Sequence, residues 1–170
     1  MTKIKFIVMF IVLGVLITTS ALGQALSPMG YWKTIDDETG KEKSIVKIWM
    51  ENDKLYGKIV KLFRKPDENQ NPLCAKGSGK LEGKPMLGAT IMRDLQEKGK
   101  WWSGGKILDP KKGKTYNCKI KVIDNGEKLH LRGFIGISLI GRSQTWLRTE
   151  EPIKPKEKTE EVEETKEIKE

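Results

Sequence analysis

The last hydrophobic run, Leu129 to Arg148, places the tightest limit on what this chain can fold into. It reads Leu-His-Leu-Arg-Gly-Phe-Ile-Gly-Ile-Ser-Leu-Ile-Gly-Arg-Ser-Gln-Thr-Trp-Leu-Arg. Apolar residues alternate with polar residues or glycines, a period of two that fits a half-buried strand and not a helix face. Gly133, Gly136 and Gly141 punctuate it, so the run is expected to form two strands of an antiparallel sheet that bends at glycine. The second strand, ending Trp146-Leu147-Arg148, must pair or remain an exposed edge. The strand that begins the folded part, Gly30-Tyr31-Trp32, is its natural partner.

The rest of the middle has the same texture. Tyr31–Ile35, Ser44–Met50 and Leu55–Phe63 read as strands, parted by turn residues at 36–40 and 51–53. Val46, Ile48 and Met50 share one face, and Gly57 marks a bend or a close approach. Pro85–Leu95 reads as strand with a bend at Gly88, and Trp101–Leu108 as strand interrupted at Gly104-Gly105. Thr115–Ile123 puts Tyr116, Cys118, Ile120 and Val122 on one face, opposite Lys119 and Lys121. Asp124-Asn125-Gly126 is a strong hairpin signal. Only Arg64–Lys84, with its prolines, glycines and Cys74, is a long loop; such loops are usually functional or pinned. The expectation is all-β: about eight strands in a small up-and-down barrel, which closure frees of edges. A two-sheet sandwich is the alternative.

The ends differ from the middle. Lys3 and Lys5, the apolar run Phe6–Ile17 and the small-residue exit Ala21-Leu22-Gly23 read as a secretory signal over residues 1–23, cut after Gly23 or Ala25. The run is shorter than the roughly 20 residues of a spanning helix, so no transmembrane span is expected after cleavage. Gln24 follows where a lipoprotein would need cysteine. The expected address is periplasmic or secreted. Residues 150–170 form a lysine- and glutamate-rich tail, expected to be disordered. Its part from 151 on holds five lysines and eight glutamates, a net −3. The whole chain carries +9, so residues 24–149, the expected barrel domain, are strongly basic. An exported address and lysines scattered over outer faces argue against nucleic acid. They favour a small amphiphilic or anionic ligand, or an anionic envelope polymer.

Five stretches resemble the uncharacterised bacterial family known as domain of unknown function 2147. They are Gly30-Tyr31-Trp32-Lys33-Thr34-Ile35-Asp36, Leu55-Tyr56-Gly57-Lys58-Ile59-Val60, Gly104-Gly105-Lys106-Ile107-Leu108-Asp109-Pro110, Gly113-Lys114-Thr115-Tyr116, and Leu131–Gly136 through Gly141–Trp146. The resemblance implies an exported, single-domain, β-rich protein, and it carries no catalytic residues over. Many members have a second cysteine soon after the one matching Cys74; here Ala75-Lys76-Gly77 follow. Gly30-Tyr31-Trp32 also resembles the Gly-x-Trp opening of lipocalin-like barrels. There a late arginine covers the tryptophan ring, a part open here to Arg142 or Arg148.

Candidate sites are few. Cys74 and Cys118, the only cysteines, either form a disulfide or remain two thiols, with Cys118 buried. His130, the only histidine, alternates with Leu129 and Leu131 and is expected to face outward. It supports neither a triad nor a metal site, and no cofactor motif is present. Asp109-Pro110 is read as turn chemistry; Glu42, Asp94 and Asp109 have no paired-carboxylate spacing. Trp101 and Trp102 must face opposite sides, the outer ring either open to a partner or covered by the long loop. Arg142 and Gln144 share a face, which Arg132 can join from the neighbouring strand. If that face is inside, it needs a polar ligand or internal partners. The expected function is non-catalytic binding of a ligand or envelope component. An envelope hydrolase or transferase, and a structural or stress-related envelope protein, are the alternatives.

Overall fold

A computed structural model describes residues 27–153 apart from residue 38. The signal-like leader, and the tail beyond residue 153, lie outside the described residues. Eight strands run in chain order: β1 (Gly30–Ile35), β2 (Glu42–Glu51), β3 (Lys54–Leu62), β4 (Thr90–Lys98), β5 (Trp101–Asp109), β6 (Lys114–Ile123), β7 (Lys128–Phe134) and β8 (Gly141–Thr149). Each pairs antiparallel with the next, and β1 pairs with β8 through Tyr31↔Thr149, Trp32↔Arg148 and Lys33↔Leu147. The sheet is therefore one closed up-and-down barrel and not a sandwich. The only helical turns among the described residues are the short 3₁₀ segments Gly79–Leu81 and Asp124–Gly126.

Alternation decides what fills the barrel. Trp32, Val46, Ile48, Leu55, Met92, Leu95, Cys118, Ile120, Leu129 and Trp146 are almost completely buried. They fill the end where the β2–β3, β4–β5 and β6–β7 turns lie. Those turns use the residues expected of them: Asn52 (φ 49°) with Asp53 (φ 57°), and Asp124 (φ 57°) with Asn125 (φ 52°), hold left-handed backbone. At the other end the four remaining connections surround an opening.

One expectation about β4 needs correction. Residues 85–89 are not strand. Met86 N–H donates to the Pro72 carbonyl (2.9 Å), Gly88 takes φ 84°, and Ala89 N–H folds back to the Met86 carbonyl (3.2 Å). These residues close the long loop before pairing begins at Thr90. Within β4, Asp94 adopts φ 61° and the register against β3 slips between Leu55 and Gly57. Gly105 of β5 lies against this kink, where a Cβ would collide with the Arg93 carbonyl oxygen. Gly57 makes the close approach expected of it, with a Cβ position 3.2 Å from both Met92 and Val46. Met50 shares the face of Val46 and Ile48 but is 40% exposed, because it sits at the rim beside the β2–β3 turn.

The long loop is pinned. Cys74 N–H donates to the Lys84 carbonyl (2.8 Å), Gly83 N–H to the Cys74 carbonyl (3.0 Å), and Ala75 N–H to the Pro110 carbonyl (2.8 Å). The last bond ties the loop to the β5–β6 turn. Gly113 in that turn has φ +65°, and a Cβ there would strike the Lys76 carbonyl oxygen. Only glycine allows the two backbones to meet. Cys74 and Cys118 are both buried free thiols, so no disulfide joins loop to strand. Cys118 faces the barrel interior from β6, while Cys74 is held in the loop.

Candidate functional site

The open end of the barrel is a cup of about 570 Å³, within the roughly 300–1,000 Å³ of small-molecule sites. Its floor and closed end come from the plug below. Arg148 lies over the Trp32 ring at 4.2 Å, and its guanidinium donates to the carbonyls of Ser27 (2.8 Å), Met29 (3.2 Å) and Gly126. Trp32 Nε1 donates to the Pro28 carbonyl (2.8 Å). Of the two late arginines, Arg148 is thus the one that covers the tryptophan. The lead-in, residues 27–29 ahead of β1, folds beneath the barrel and seals this end.

Above the plug the wall is apolar, with Ile59, Ile91, Ile107, Tyr116 and Trp146 among its lining. Polar groups form two sets. Thr34 and Ser44, paired across β1 and β2, share a hydrogen bond of 2.7 Å between their hydroxyls, and both are buried. On β8, Gln144 accepts from Trp146 Nε1 (3.2 Å) and donates to Asp37 Oδ2 (3.1 Å). Arg142 Nε meets the same carboxylate oxygen at 2.7 Å. The face of β8 that carries Arg142 and Gln144 therefore points inward, and its polar groups are tied to a loop between β1 and β2.

The mouth is cationic. Among the described residues Lys43, Arg64, Lys111, Lys112 and Arg142 line it, against the lining carboxylate of Asp109 and that of Asp37, which is held by Arg142. Asp109 Oδ1 accepts the backbone N–H groups of Lys111 (3.1 Å) and Lys112 (3.2 Å), the turn role read for Asp109-Pro110. Arg64 has a local partner, Glu68, at 3.4 Å.

Other sequence candidates lie elsewhere. Arg132 is on the outer face: Leu131 pairs with Gln144 and Gly133 with Arg142, which turns Arg132 outward beside Ser143. It does not join Arg142 and Gln144. Instead it donates to the Ser138 and Leu139 carbonyls and to Ser143 Oγ, fastening the β7–β8 connection. Trp101 faces outward and Trp102 packs against the core, as alternation requires. The outer ring is covered by β6 and β7 and not by the long loop: Lys119 and Lys121 lie over it at 4.7 and 4.8 Å, and His130 meets it edge-on at 5.8 Å. Partial burial, then Lys121, Arg132 and Lys119, hold the His130 pKa below its ordinary value. No group of three or more metal-ligating side chains occurs among the described residues.

Thr34, Ser44, Asp37 and the mouth lysines were not singled out from sequence. A count of two from Trp32 reaches Thr34. Two-residue steps back from Arg148 reach Trp146, Gln144 and Arg142. Asp37 and the lysines sit in turns, where no such period applies.

The bacterial family described as "Uncharacterized protein conserved in bacteria (DUF2147)" matches residues 30–148. No curated protein matches. A solved Helicobacter pylori structure is similar in fold. It is described as "Protein HP1028 from the human pathogen Helicobacter pylori belongs to the lipocalin family". Its TM-score is 0.59 at 22% identity, covering 73% of this chain and 84% of that one.

Proposed function

Since this chain belongs to that bacterial family, whose description assigns no activity, we propose its function from the cup: it binds one small amphiphile, apolar tail inward and anionic head at the mouth. The observation that carries this is the pairing of an apolar wall with a mouth where, among the described residues, five cations outnumber the carboxylates of Asp109 and Asp37. A tail against Ile59, Ile107 and Trp146 is removed from water. A carboxylate or phosphate head finds Arg142 and the lysines at 43, 111 and 112. The Thr34–Ser44 hydroxyls and the Gln144 amide offer polar contacts partway down. The fold relationship supports the reading, because closed barrels of this size commonly enclose one small ligand.

The leader-like residues 1–23 support placing this carrier in the cell envelope or outside the cell. The mass of the mature protein tests that, with cleavage after Gly23 or Ala25 expected and an intact N-terminus against it.

Binding is tested by displacing an anionic, environment-sensitive fluorophore with straight-chain carboxylates of rising length. Each methylene is worth about 0.8 kcal/mol when buried, so affinity should rise roughly fourfold per carbon until the cup is full. Arg142→Gln should weaken carboxylates more than the matching alcohols. Affinity independent of chain length, or no saturable binding at all, would sink the proposal.

A further inference from the structure

We propose that the open end of the barrel docks on a bilayer containing anionic phospholipid, with the β7–β8 loop set among the headgroups. This goes beyond ligand binding and does not depend on it. The loop, residues 135–140, reads Ile-Gly-Ile-Ser-Leu-Ile. Its four aliphatic side chains lie in water: Ile135 is 65% exposed, Ile137 60%, Leu139 83% and Ile140 68%. Single exposed aliphatics are ordinary, but four within six residues form a patch that calls for a partner. Leu87, 51% exposed and next to the mouth residue Met86, extends it.

The loop holds its shape without packing those side chains. Arg132 Nε donates to the Ser138 carbonyl (2.6 Å), Nη2 to the Leu139 carbonyl (3.0 Å) and Nη1 to Ser143 Oγ (3.0 Å). Ile140 N–H donates to the Ile137 carbonyl (3.1 Å), and Ile135 N–H to the Ile140 carbonyl (3.2 Å). Backbone groups that already have partners lose little on leaving water, which is the condition for entering a lipid boundary. Aliphatic tips are thereby presented outward by a fastened backbone.

Charge identifies the occupant. The same mouth carries Lys43, Arg64, Lys111, Lys112 and Arg142. Apolar tips beside basic side chains match acyl chains beneath anionic headgroups. A second copy fits poorly, because a two-fold pairing of this face would oppose its own cations.

The test is flotation of the mature protein with vesicles of phosphatidylglycerol and phosphatidylethanolamine, against vesicles of phosphatidylcholine alone. Flotation is expected with the anionic vesicles only, and less of it at high salt. Ile137→Ser with Leu139→Ser should lower partitioning by about tenfold or more. Neither side chain lines the cup, so the double variant should keep its circular dichroism and its ligand binding in solution. Met50→Ser, at the opposite end, should float like the wild type. No flotation of the wild type, equal flotation of the double variant, or a dimer abolished by the double variant would each overturn the docking face. Loss of ligand binding with flotation intact would instead count against the cup alone.

Discussion

Arg148→Ala is expected to lower the unfolding free energy by about 2–3 kcal/mol. The guanidinium stands 4.2 Å over Trp32, a contact worth about 1 kcal/mol or more when desolvated. Its three acceptors are unequal. The Ser27 and Met29 carbonyls lie in the partly exposed lead-in and can take water once the arginine is gone. The Gly126 carbonyl belongs to a buried residue and loses its charged donor, at a cost of roughly 1.5–3 kcal/mol. Burial holds the Arg148 pKa below its ordinary value, and the desolvation that alanine relieves offsets part of the loss. Arg148→Lys keeps the charge but cannot span three carbonyls, and should lose roughly half as much. Arg142→Ala is the control, since its ion pair with Asp37 is at the surface and worth under about 1 kcal/mol. Urea unfolding followed by tryptophan fluorescence separates the three. The Arg148→Ala midpoint should fall by about 1–2 M with little change in slope. Arg148→Ala within about 0.5 kcal/mol of wild type, or Arg142→Ala as damaging as Arg148→Ala, would refute the idea that this arginine seals the barrel.

Gly113→Ala should cost about 2 kcal/mol and open residues 64–88 to trypsin, because it combines a positive φ with a collision at the Lys76 carbonyl. Gly99→Ala, with φ +60° but nothing within 4 Å, should cost about half of that and leave the loop protected. Burial pushes the Cys118 thiol up to about 12 and raises Cys74 as well, so neither should react with a thiol reagent in the native protein. Both should react after unfolding without reductant, and a count of zero there would mean a disulfide. His130 favours its neutral form in the folded state, so its contribution is present above the unfolded value near 6.5. That contribution is lost as pH falls toward the lower folded value. The fall in melting temperature just below pH 6.5 should be shallower in His130→Gln, and identical slopes would show that the packing around Trp101 does not oppose protonation.

Barrel closure was legible because period two runs through β1, β3, β6 and β7 and because Gly30-Tyr31-Trp32 and Trp146-Leu147-Arg148 bracket the fold. The faces of β8 were legible for the same reason, and Arg142 and Gln144 arrive together. Whether Arg132 joins them was not, because parity within one strand says nothing about parity in the next. The length of residues 135–140 pairs odd Leu131 with even Gln144, and that pairing turns Arg132 outward. The kink at Asp94 escaped because an aspartate with positive φ has no apolar period to betray it, although Gly105 across the ladder was its trace.

The hollow is a subtler case, since its cause is present in the sequence and readable only once register is known. Inward positions near the plug carry Trp32, Ile48, Leu55, Leu129 and Trp146, all buried. Two residues beyond Trp32 on β1 and beyond Val46 on β2 the inward pair is Thr34 and Ser44, and two beyond buried Leu131 on β7 comes Gly133, opposite Arg142. Small side chains cannot meet across a barrel whose width is set by eight strands, and a long arginine can reach solvent at the rim. The interior therefore passes from packed to empty within one step of alternation. The same taper predicts how to fill the cup. Thr34→Leu and Ser44→Leu remove both partners of one buried hydroxyl pair and leave neither hydroxyl orphaned. Together they should exclude the longest carboxylates first, while stability holds or rises. If the doubly filled barrel still bound every chain length alike, the ligand would have to lie elsewhere on the molecule.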